Sequence, residues 1–154
     1  MTVVAFRAIL TVGLCLFFAL ASSAQDHAAA VQHYQRAMAL YGAHDVQGAI
    51  TELTRAVELD ARYAEAWNDL GVIQRQQGKL KTSIECFHKA IDAKPRFESA
   101  RYNLALAFEA SHDFDAALKQ ARNVIALAPR IPQAHALCGR LLMEQNRLER
   151  LGMN

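Results

Sequence analysis

Residues 64–97 read AEAWNDLGVIQRQQGKLKTSIECFHKAIDAKPRF. Ala66, Trp67, Leu70, Gly71 and Ile73 fall at spacings of three and four ahead of Gln77 and Gly78, and Leu80, Ile84, Phe87, Ala90 and Ile91 resume that spacing beyond them. The pattern predicts two amphipathic helices joined by a tight turn. Gly78 suits the left-handed position that ends a helix, and Pro95, which also biases Lys94 away from helical angles, closes the second helix.

The same 34-residue unit overlies residues 30–63 and 98–131 without a gap. Side-chain size agrees down the columns better than identity does: Ala37, Gly71, Ala105 and Gly139 form one small-residue column, Ala49, Ser83 and Ala117 a second, and Ala56, Ala90 and Val124 a third. Ile50, Ile84 and Leu118, with Val57, Ile91 and Ile125, supply bulk between them. Small columns let helices approach closely. A unit this short cannot bury its own apolar face and must stack on its neighbours, the sequence mark of a solenoid.

Trp67, Leu70 and Gly71, then Ser83, Phe87, Ala90 and Pro95, resemble the tetratricopeptide repeat (TPR) at the spacings of that family's pattern, over residues 30 to about 145. Gln74 stands where the pattern has Tyr, Ser83 where it has Ala, and Arg36 occupies the column of Leu70 and Leu104, suiting a terminal helix that faces water. The resemblance implies an all-α, right-handed α-solenoid of about three and a half units, with first helices lining a concave groove and second helices forming the back. The units are residues 30–63, 64–97 and 98–131, with 132–154 as a partial fourth repeat or capping helix. Its second helix is expected to be missing or reduced to a turn around Leu148, Leu151 and Met153.

Residues 1–24 differ in kind. Arg7 precedes an uncharged run, Ala8 to Ala24, that ends in small residues. This reads as a signal peptide cut after Ala24, with Ala21 as the nearby alternative, leaving a short segment 25–29 before the first unit. An uncleaved anchor is the competing reading, since the run is at the short limit for spanning a bilayer. Leu14 ahead of Cys15 argues against a lipoprotein. The expected location is therefore periplasmic or secreted, or membrane-anchored on the exported side. Loss of Arg7 takes the formal net charge from +2 to +1, with both signs scattered, so no nucleic-acid partner is indicated. Cys86 and Cys138 lie two stacking steps apart in the register, too far for a disulfide, and are expected as free thiols.

If the family geometry holds, the groove is lined by Tyr34, Met38 and Tyr41, then Asn68, Val72 and Arg75, then Tyr102, Leu106 and Glu109, with Arg140 and Met143 extending the strip. Aromatic anchors mixed with amide and charged groups suit an extended peptide or a helix. Some members of the family grip a C-terminal carboxylate with Lys, Asn and Arg; Tyr34 and Met38 occupy matching columns here, so that mode is not indicated.

The pairs His44-Asp45 and His112-Asp113 occupy equivalent turns two repeat steps apart, and a left-handed turn role is favoured over metal ligation. There is no nucleophile elbow, H-E-x-x-H, phosphate loop or C-x-x-C. No catalytic residue, metal or cofactor is assigned. The expected function is an adaptor that holds another polypeptide in the groove within an envelope or secreted complex. The alternative is a homo-oligomer built through the incomplete C-terminal repeat.

Overall fold

The computed structural model describes residues 24–152, and among these every regular element is helical. Helix α1 covers 24–42, and α2 Val46–Leu59, α3 Ala64–Gln76, α4 Leu80–Ala93, α5 Glu98–Ala110, α6 Phe114–Leu127 and α7 Pro132–Arg150 follow. The expected leader, with Arg7 and Cys15, lies outside the described residues except for Ala24, and residues 25–29 belong to α1. Among the described residues no helix is long and apolar enough to cross a membrane. The chain divides into two compact units at Ala61 and Arg62.

The first unit is the hairpin of α1 and α2. Ala30, Ala37, Ala49, Leu53, Ala56 and Val57 are buried, which places the expected small columns inside. Two histidines of α1 reach carboxylates of the second arm: His33 Nδ1 lies 2.7 Å from Glu52 Oε2, and His27 Nδ1 lies 2.5 Å from Asp60 Oδ2. Arg36 is exposed, as a terminal helix allows.

In the second unit α3 packs on α4, α4 on α5, α5 on α6 and α6 on α7, while α3 also touches α5. Phe87, Ala90, Ile91, Ala100, Leu104 and Ala107 form one buried cluster, flanked by Trp67, Val72, Ile84 and Phe97. Ala105, Ala117, Leu118, Ala121, Leu137 and Leu141 form the next, and Phe108 touches both. Neighbouring repeats thus share one apolar interior, the condition under which short helices of this kind are stable. The half-buried Trp67 carries Lys89 Nζ 4.2 Å from its ring centroid, so its outer face is covered by a cation.

The three turns within the hairpins have one backbone solution. His44, Gly78 and His112, spaced by the repeat, have φ of 65°, 74° and 62°. In each, the following N–H reaches back to the helix: Asp45 N to Leu40 O, Lys79 N to Gln74 O, Asp113 N to Phe108 O, all 2.9 Å. A left-handed residue with this six-to-one bond satisfies carbonyls that the helix end would orphan. The aspartates then start the next helices. Asp45 Oδ1 accepts from Gly48 N and Asp113 Oδ1 from Ala116 N. The two His-Asp pairs are stop-and-start signals, as the turn reading expected.

Of the two expectations for the second helix of the fourth repeat, its absence is what the described residues show: α7 runs unbroken from Pro132 to Arg150, so Leu148 lies within it and the turn is confined to Leu151 and Gly152; Met153 lies outside the described residues. The 145–150 stretch is made largely of good helix formers, the Glu144–Arg147 pair supports it at 3.0 Å, and the stop comes at Gly152, φ 64°. Gly139, counted above with the small columns, is exposed and a Cβ there would meet nothing within 4 Å. No second helix of the fourth repeat covers it among the described residues.

Candidate functional site

The first helices of the second unit carry two lateral ties. Asn103 Nδ2 on α5 donates to Asn68 Oδ1 on α3 at 3.0 Å. Glu109 on α5 accepts from Arg140 on α7 through both oxygens, at 2.7 and 2.9 Å. These cross-links hold α3, α5 and α7 side by side, as a lining of first helices requires. The Glu109 carboxylate also stabilises the Arg140 guanidinium, raising its pKa above the ordinary arginine value against a smaller opposing effect of desolvation.

Those ties redistribute roles among the expected contact residues. Asn68 is 8% exposed and its Nδ2 donates to Asp69 Oδ1, so its amide is spent on structure. Val72 packs against the first cluster, and Tyr102 and Leu106 rest half-buried on the second, each keeping part of its surface in solvent. Arg75 is half-buried and its Nε has no hydrogen-bond partner. Met143 is 66% exposed. In the first unit Tyr34 and Met38 are half-buried and Tyr41 is exposed.

Beside Tyr102 the structure holds a cavity of about 330 Å³. Tyr102, Val124 and Ile131 give it apolar surface, and Glu98, Ser99, Asn103 and Gln133 give it polar groups. Sequence reading missed Glu98 and Asn103 because the cavity forms only where the first turn of α5 meets the end of α6 and the loop before α7. A second cavity, about 450 Å³, lies between the α5–α6 turn and the last turns of α7, where Gln145 Nε2 donates to Asp115 Oδ1.

Among the described residues no group of three or more His, Cys, Asp or Glu is placed to hold a metal ion. Cys86 and Cys138 are unpaired. Burial pushes the Cys86 thiol up to about 11, with Lys89 opposing, and desolvation also raises Cys138. Neither is a ready nucleophile at neutral pH.

A family model described as tetratricopeptide repeat matches residues 34–96 and 102–150. The BBSome complex member BBS4 homolog of Drosophila melanogaster is 24% identical over 110 residues, which is 71% of this chain and 23% of that protein. The chain therefore spans under a quarter of that relative. Among solved structures, the first TPR of Spaghetti (RPAP3) bound to HSP90 peptide SRMEEVD superposes with a TM-score of 0.75 at 13% identity, over 78% of this chain and 95% of that one. A crystal structure of MamA protein gives 0.62 at 29% identity, over 66% and 56%. With the repeat matched across all three hairpins and the final helix, this chain belongs to the tetratricopeptide repeat family.

Proposed function

We propose that the chain is an exported adaptor that binds another polypeptide along the first-helix face of α3, α5 and α7 and supports assembly of an envelope or secreted complex. The family fold is a scaffold for protein–protein interaction, and a solved relative holds a peptide. The observation that carries the reading is the lateral tying of those helices by Asn68–Asn103 and Glu109–Arg140, with Tyr102 and Leu106 left partly open between the ties. Rigid, partly exposed aromatic and aliphatic anchors bind at low entropic cost. Export rests on the pattern of residues 1–24, and N-terminal sequencing of the protein from its native envelope fraction checks it.

Pull-down from that fraction compares wild type with Tyr102→Ala and Leu106→Ala, and separately with Tyr34→Ala. Recovery of a partner by wild type and its loss in the α5 variants, with helical content kept by circular dichroism, supports the reading. Equal recovery removes this face from it.

A second reading is self-association through α7. Gly139 is bare, and Leu142 is 41% and Met143 66% exposed. Inside the chain the equivalent of Gly139, Gly71, is covered by Phe87, so the surface that repeats use internally lies open here for a second copy. Sedimentation across a concentration series, with Leu142→Glu as the control, tests it: mass that rises with concentration only in wild type supports it, and a monomer throughout excludes it.

A further inference from the structure

The cavity beside Tyr102 has a chemical preference that the repeat itself discloses. In the preceding repeat the first-turn carboxylate, Glu65 of α3, meets Lys94 of the loop after α4 at 2.8 Å. One repeat later the positions of Glu65 and Lys94 are Ser99 and Ala128, so that ion pair is gone, while a new first-turn carboxylate, Glu98 at the position of Ala64, has no side-chain partner among the described residues. Glu98 lines the cavity instead.

Three other polar residues line it, Ser99, Asn103 and Gln133, each able to accept; Asn103 gives one amide hydrogen to Asn68 and keeps its oxygen available. Against these acceptors stand the Tyr102 ring, Val124 and Ile131. A carboxylate and an amide oxygen beside an apolar floor and an aromatic ring match a long side chain with an aliphatic stem and a cationic head. The helix dipole accounts for a carboxylate in the first turn of α5. It does not account for a carboxylate without a side-chain partner standing beside a cavity of about 330 Å³, a volume in the lower range of ligand pockets.

We propose that this cavity receives a lysine or arginine side chain of the polypeptide bound along the first-helix face, with Glu98 as its counter-charge. The proposal rests on the groove reading and specifies its partner: a basic residue is the anchor at α5, the opposite polarity to capture of a terminal carboxylate.

The test is a magnetic resonance titration of the full chain with three probes: acetyl-Ala-Arg-Ala-amide, its lysine counterpart, and its citrulline counterpart, which keeps the shape of arginine without the charge. Amide shifts at Ser99, Asn103 and Gln133 are expected with one or both cationic probes. Binding weaker by about fivefold or more is expected for citrulline and for the cationic probes on Glu98→Gln, the scale of a partly exposed charge pair. Equal response to citrulline, indifference to Glu98→Gln, or no shift with either cationic probe at millimolar concentration overturns the proposal. The pull-down separates it from the reading beneath it. Partner loss with Tyr102→Ala and Leu106→Ala, but full recovery with Glu98→Gln, overturns the basic anchor and leaves the groove standing. Recovery unchanged by all three removes both.

Discussion

A Cβ built on Gly71 would stand 2.7 Å from Cε1 of the Phe87 ring, closer than real Cβ atoms approach. The ring is fully buried and cannot swing away, so glycine at 71 is the condition for phenylalanine at 87. The same two columns hold Ala37 with Leu53 in the first repeat and Ala105 with Ala121 in the third, all buried. Bulk on the second helix is exchanged against bulk on the first.

Gly71→Ala is therefore expected to destabilise by about 1–3 kcal/mol through overpacking, despite alanine's better helix propensity. Adding Phe87→Leu, the residue type of the first repeat, recovers part of the loss. Urea denaturation of the two single variants and the double variant measures the coupling, and strict additivity excludes it.

The turns give a prediction of opposite signs at equivalent positions. His44→Gly and His112→Gly relieve a positive φ and stabilise by about 0.5–1 kcal/mol, whereas Gly78→Ala costs roughly 1 kcal/mol. Asp113→Ala loses the cap to Ala116 N and costs about 1 kcal/mol. Thermal midpoints check the set.

The Glu109–Arg140 pair is bidentate but more than half exposed on the arginine side. A double-mutant cycle with Glu109→Gln and Arg140→Gln is expected to give a coupling of about 0.5–1 kcal/mol in dilute buffer, shrinking in 1 M salt. Coupling that is indifferent to salt contradicts a screened surface pair.

Cys86 supplies a pH prediction. Burial raises its folded pKa from 9.0 to about 11, so the folded state resists thiolate formation that the unfolded chain permits. The contribution is complete below the unfolded value and is lost as pH climbs through the folded one. Wild type is expected to lose more stability than Cys86→Ala between pH 9 and 11. Iodoacetamide at pH 8 modifies Cys138 before Cys86 in the native protein, and both at similar rates in urea.

Much of this fold was legible in the residues. The 34-residue columns placed Ala37, Gly71 and Ala105 inside, and Gly78, His44 and His112 in left-handed turns, because helix periodicity and backbone sterics act locally and leave a local trace. The site was legible only in outline. Asn68 looked like a groove amide and is a strut, since its partner Asn103 lies on another helix and no spacing rule joins them.

What the sequence alone determined is the repeat: its helices, its stops and the small residues at its contacts, all set by short-range propensity and by side-chain volume. What the tertiary structure alone decided is which polar groups remain unspent. Whether Glu98 faces a cavity, Glu65 a lysine or Gly139 open solvent depends on what the neighbouring repeat brings to that place, and only packing settles that.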